Sequence, residues 1–262
     1  MWPGIEGIHR LKILAYCSLH YGSQWLEFAI RSVEPLVDEY HIFYTDHPSH
    51  GSRTDMTKPE GEDRESLKAI SDLFDITVWH DVDQFWQEGD HRDYCVDFLT
   101  KEGADLILWN DADEVWDLDV LSEALDFAWA GSAKEYRVHA VHFWCGVNHV
   151  CLDECMPVRI IKPSGEGEAY IPGRGFYHFG YAQSAILVLY KSKIHGHRGE
   201  WRKGWFPIYR DWSPEKTYPC GVHPTNACDD KTGKPFWSPI PFNRYDLEDL
   251  IGDHPYFRDE RV

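Results

Sequence analysis

A chain of 262 residues with 43% hydrophobic and 27% charged side chains can build one large α/β domain or two small ones, and its composition is not that of a disordered segment. The 44 Asp+Glu against 26 Lys+Arg give a net charge of −18, which argues against broad, charge-driven nucleic-acid binding and leaves only a local basic face around Arg198, Arg202, Lys203 and Arg210. No 18-residue apolar span or signal-peptide pattern occurs, so a cytoplasmic location is expected, and the seven cysteines are expected as free thiols.

Residues 11–16 read as a first strand, ending in the polar turn Cys17-Ser18-Leu19-His20-Tyr21-Gly22. Ser23 suits the N-cap of a helix carrying Leu26, Ile30 and Val33, which Pro35 closes. A second strand, 40–44, ends at Thr45-Asp46 and opens a long polar loop, 47–63, of the kind that often carries function. Leu67, Ile70, Leu73 and Phe74 mark a second helix, 76–79 a third strand, and 91–101 a third helix stopped by Gly103.

The fourth strand, Leu106-Ile107-Leu108-Trp109, is apolar throughout, as expected of a strand buried on both faces of a parallel sheet. It leads through Asn110 into Asp111-Ala112-Asp113-Glu114. Ligands of open α/β sheets sit at the carboxyl ends of strands. Two aspartates one residue apart at such a place can turn oxygens toward one divalent cation and leave positions open for phosphate oxygens. An acidic turn before a helix N-terminus is the plainer alternative.

A helix over 118–130 follows, capped by Asp117 and ended by Gly131, and then a fifth strand over 136–145. The alternation of strand and helix predicts a doubly wound α/β fold with a parallel sheet. Beyond Gly146 the pattern changes to short strands (157–162 and 176–179) around a glycine-rich turn, 164–175, then a helix over 184–194 and an irregular, Trp- and Pro-rich end. Cys145, His149, Cys151 and Cys155 would share one face of an extended strand, but their spacing fits no usual zinc pattern.

Five stretches together resemble the glycosyltransferases of GT-A fold, close to the family-2-like group: YCSLHYG, WLEFAIRSV, YTDHPSHG, LILWNDADEVWD and YHFGYAQSAILVLYKSKIHGH, within residues 11–197. The resemblance implies a mostly parallel sheet flanked by helices, with residues 1–145 holding a nucleotide-sugar and 146–262 shaping the acceptor side through Trp144, Trp201 and Trp205. It implies that Asp111 touches the ribose and the metal, that Asp113 ligates Mn²⁺ or Mg²⁺, and that Ser18 and Arg92 lie beside the nucleotide. Asp46 would recognise the base, often a uracil, which makes a UDP-sugar the expected donor. His178 would complete the metal shell or contact the diphosphate, with His195 and His197 as alternatives. Lys191, Lys193 and Arg198 would meet the diphosphate or merely complement a helix C-terminus.

The family's acidic pair that supplies a base for inversion has no clear match. Asp153, Glu154 and Glu114 are the candidates, and the stereochemistry stays open. Either residues 47–63 or 198–212 would form a lid. Relatives of this style occur in bacterial surface-glycan gene sets and in phages, so the acceptor would be a glycan or a hydroxymethylated DNA base, in the latter case within a host cytoplasm. Two other classes compete. A haloacid-dehalogenase-type phosphatase shares an apolar run followed by D-x-D, although its motif normally ends the first strand. A non-catalytic nucleotide-sugar-binding module would bind without turnover.

Overall fold

The structure is a computed structural model and describes residues 10–48, 56–83, 87–194, 200–228 and 232–258. Its first half alternates β1 (Ile13–Leu19), α1 (Leu26–Val33), β2 (Glu39–Tyr44), α2 (Arg64–Ser71), β3 (Thr77–Asp81), α3 (Glu88–Lys101), β4 (Leu106–Trp109), the two-residue β5 (Glu114–Val115) and α4 (Leu118–Ala130). The second half carries β6 (Glu135–Arg137), β7 (Ala140–Trp144), β8 (His149–Cys151), β9 (Val158–Ile161), β10 (Glu168–Tyr170), β11 (Phe176–Tyr181) and α5 (Ala185–Ile194). Then come α6 (Trp205–Arg210), β12 (Ile240–Pro241), α7 (Glu248–Ile251) and α8 (Pro255–Arg258).

Seven strands form the main sheet in the order β10-β6-β9-β4-β1-β2-β3. Strands β1 to β4 are mutually parallel, whereas β9 runs antiparallel to both β4 and β6. The expected mixed α/β fold, a mostly parallel sheet flanked by helices, is therefore what forms. The apolar β4 explains itself by its place. Leu106 and Leu108 pack with α1 and α4 on one face, while Ile107 and Trp109 pack with Cys95 and Leu99 of α3 on the other. A strand covered on both faces has no polar side to show.

Four sequence expectations need correction. Residues 136–145 are not one strand: β6 joins the main sheet, and β7 leaves it for a second sheet ordered β12-β8-β7-β11-β5. The glycine-rich turn contains β10, which pairs parallel with β6. Ser23 is not the cap of α1. That helix starts after Trp25, and Ser23 Oγ donates instead to Glu62. Cys145, His149, Cys151 and Cys155 do not share one face of a single strand, because β7 ends at Trp144 and β8 spans only His149–Cys151; Cys145 lies by the Tyr209 carbonyl and His149 against Trp212.

Candidate functional site

The end of β4 is locked before the acidic turn begins. Asn110 is fully buried: its amide donates to the Ala29 carbonyl at 3.1 Å, and its Oδ1 accepts from Trp116 Nε1 at 3.1 Å. The turn is then stapled to the second sheet. Glu114 of β5 lies opposite His178 of β11, and Phe179 N donates to the Asp113 carbonyl at 2.8 Å. This pairing carries a histidine from a distant part of the chain up to the aspartates.

Asp111 and Asp113 face different partners. Asp111 Oδ1 accepts from Trp109 Nε1 at 2.7 Å, and its Oδ2 lies 3.2 Å from Arg159 Nη2. Asp113 Oδ2 accepts from Gln183 Nε2 at 3.1 Å and lies 3.5 Å from Lys191 Nζ; its Oδ1 lies 3.7 Å from His178 Nε2. Burial lowers the His178 pKa well below the usual histidine value and keeps the ring neutral, the form that ligates metals. Burial works against the Lys191 ammonium, but Asp113 and Tyr181 outweigh it, and its pKa is raised. Lys191 is therefore a charged group beside the acid motif.

These groups open on a cleft of about 500 Å³. Ser18, Arg92, Asp111, Asp113, Asp153, His178 and Lys191 all line it, so most of the expected site residues come together. The Arg92 guanidinium lies 3.7 Å above the Trp109 ring and pairs with Glu88. Asp46 is not among the lining residues. Its side chain is 77% exposed, takes the Tyr44 hydroxyl at 2.8 Å and sits 3.7 Å from Lys58 Nζ. Glu154 is exposed and also does not line the cleft. The alternatives His195 and His197, with Arg198, lie outside the described residues, as do parts of both expected lid segments.

Glu114 cannot act as a solvent-facing base. It is fully buried and takes Arg159 Nε at 2.7 Å on one oxygen and Nη2 at 2.5 Å on the other. Burial pushes its carboxyl up, and Arg159 pulls the other way. The role of Glu114 is to hold the turn from beneath. Arg159, His142, Gln183 and Glu62 were missed in the sequence. Arg159 had a readable signal: an arginine inside Val-Arg-Ile-Ile, a strand with apolar neighbours on both sides, needs a buried acid partner. Glu62 had none. It is buried and accepts from Gly22 N at 2.6 Å and Ser23 N at 3.0 Å, tying the turn after β1 to the far loop.

The fold and the cleft define a mixed α/β protein with an acidic motif at the carboxyl end of its central parallel strands. No family model matches the chain, and no curated protein matches it. Among solved structures, it is similar to mannose-1-phosphate geranyltransferase from Thermus thermophilus, with 13% identity and a TM-score of 0.33 over 59% of this chain and 50% of that one. The chain thus spans about half the length of that protein, and a likeness this distant assigns no activity.

Proposed function

We propose that the chain is a metal-dependent glycosyltransferase that moves a sugar from a nucleotide-diphosphate donor, UDP-linked in the first instance, to a hydroxyl acceptor. One observation carries the reading: Asp113, Asp111, His178 and Lys191 meet at the strand-end cleft. Asp113 Oδ1 and His178 Nε2 are 3.7 Å apart, too far for a hydrogen bond and suited to two ligands of one cation at about 2.1 Å each. Asp113 and His178 would hold the Mn²⁺ or Mg²⁺ of this reading, while Asp111, whose two oxygens are taken by Trp109 and Arg159, does not converge with them at ligand spacing. A bound metal would neutralise charge building on the leaving diphosphate.

The chain's own residues supply the rest. Lys191 and Arg92 place positive charge on the cleft wall, where a diphosphate lies in this reading. Trp201 lines the same cleft and would meet a sugar in this reading; Trp237 lines it too but is only 5% exposed, with its Nε1 committed to Asp153. Asp153 is the one of the three carboxylate candidates that lines the cleft, which makes it the base if transfer inverts. A glycan acceptor is favoured over duplex DNA. Arg202 is spent on the carbonyls of Cys220, Gly221 and His223, and Arg210 on Asp211, so two of the four residues of the expected basic face are engaged within the chain. Asp111 held between Trp109 and Arg159 is a poor phosphatase nucleophile.

The test is a donor screen. Thermal stability is measured with UDP-, GDP-, CMP- and dTDP-sugars, with and without Mn²⁺. One donor should stabilise the protein only when metal is present, and Asp113→Ala should remove that shift. Equal shifts with and without metal, or an unchanged shift in the variant, would sink the reading. Binding with neither transfer nor donor hydrolysis would leave a binding module in its place.

A further inference from the structure

The cleft holds a second cluster of ligand atoms, next to the Asp113/His178 pair. The His142, Asp153 and Cys155 ligand atoms all lie within 4.8 Å of one another. We propose that these three residues form a transition-metal site that takes Zn²⁺ or an ion of similar softness. The site uses neither Asp111 nor Asp113, but it takes Asp153, so a zinc-loaded chain has no free base at Asp153 and the two readings of that carboxylate exclude each other.

Three observations carry it. His142 is 8% exposed, and its Nε2 has no hydrogen-bond partner among the described residues. The nearest charged atom is Asp153 Oδ1 at 3.6 Å. That gap is too long for a hydrogen bond and close to the roughly 3.4 Å that separates two ligands of a tetrahedral zinc. Asp153 is also held in place: Trp237 Nε1 donates to one oxygen at 2.6 Å and Cys155 N to the other at 2.8 Å. Outer partners of this kind orient a ligating carboxylate. Finally, imidazole, thiolate and carboxylate together are a zinc donor set, softer than the oxygens of the Asp111/Asp113 turn, and three protein ligands leave the fourth position open to the cleft. Burial keeps the His142 ring neutral, with its pKa pushed down to about 4, and burial also raises that of the Cys155 thiol. Metal binding then releases the Cys155 proton to solvent.

The site has a consequence for its neighbour. His142 Nδ1 lies 2.9 Å from His178 Nδ1, so one ring donates and the other accepts. A metal on His142 Nε2 leaves the His142 proton on Nδ1, which makes His178 the acceptor and puts the His178 proton on Nε2, facing Asp113. With zinc in place, His178 is then a hydrogen-bond donor toward Asp113 and cannot also ligate the Mn²⁺ or Mg²⁺ of the transferase reading.

The experiment uses the full chain, stripped with chelator and reloaded with Co²⁺ or Zn²⁺. Wild-type protein loaded with Co²⁺ should show a thiolate-to-cobalt charge-transfer band, which Cys155→Ser abolishes while lowering zinc affinity by more than about tenfold. The band should survive in Asp113→Asn and in Cys220→Ser. A band that is absent in the wild type, persists in Cys155→Ser or vanishes in Cys220→Ser overturns the site. A measurement without any variant guards against misfolding: zinc should slow alkylation of Cys155, read by peptide mass spectrometry, and an unchanged rate overturns the proposal.

Discussion

The Arg159–Glu114 pair shows what single residues do here. Two opposite charges are buried under the acidic turn, and each is satisfied only by the other and by nearby groups of the turn and backbone. Removing one partner strands the other charge, so Arg159→Met should cost about 3–5 kcal/mol in urea unfolding. The double variant Arg159→Met/Glu114→Gln should recover part of that loss, and a double variant no better than the single would contradict the pairing argument. Gly180 is set by close approach. A Cβ there would fall 2.5 Å from His178 Cε1 and 2.7 Å from Lys191 Nζ. Gly180→Ala should push both groups off Asp113 and weaken metal-dependent donor binding, with an overpacking cost of about 1–3 kcal/mol. Isothermal titration with donor and Mn²⁺ would check this, and unaltered affinity would show that neither group matters to binding. Gly22, at φ +142°, has the same constraint on the other side, since a Cβ there would meet Ala112 Cβ at 2.6 Å.

At the scale of elements, local signals worked wherever the chain's neighbours in sequence are also its partners. Helix α4 runs as expected because Asp117 accepts from Asp119 N at 2.9 Å and Val120 N at 3.2 Å. Asp117→Ala should cost about 1 kcal/mol. Its urea midpoint should fall with no change in slope, and no fall at all would mean the cap is redundant. The run 136–145 misled because the switch from one sheet to another leaves both halves with buried, extended chain. Extended backbone looks alike whichever sheet it joins. The link between β6 and β7 is Val138-His139, with neither glycine nor proline, so nothing local marks the break where the chain crosses over.

For the whole molecule, the two sheets meet at the acidic turn, where β5 follows β4 and pairs with β11, and the buried histidines that join the layers set its pH response. His20 bridges the Thr45 carbonyl and the Tyr190 hydroxyl, and His254 stacks 3.8 Å from Trp25. Burial pushes both pKa values down to about 4. A histidine unfolded at about 6.5 takes up a proton that its folded form refuses, so the unfolded chain binds more protons between these values. Stability is then full above about pH 6.5 and falls as pH drops toward 4, by about 1.4 kcal/mol per unit for each such histidine. Urea midpoints from pH 7.5 to 4.5 would show the decline, and His254→Gln should lessen it by that one histidine's share. A profile level down to pH 4.5 would refute the assignment. Among the described residues no helix is long and apolar enough to cross a membrane.

By itself the sequence determined the alternation of strands and helices, the burial of β4 on both faces and the position of Asp111 and Asp113 at its carboxyl end, because these rest on periodicity and on caps within a few residues. It also brought out Ser18, Arg92, Lys191 and His178, and the structure gathers these around one cleft. Only the tertiary structure decided that β9 is antiparallel, that Asp46 and Glu154 stand outside the cleft and that Glu114 is sealed beneath it. The Glu62–Gly22, His142–His178, Arg159–Glu114 and Arg159–Asp111 contacts likewise join residues between 36 and 48 positions apart, and no local pattern encodes which distant side chain will meet a buried charge. Such partners are chosen by the packing of the two sheets, where an unpaired polar group is costly and a paired one is held in place.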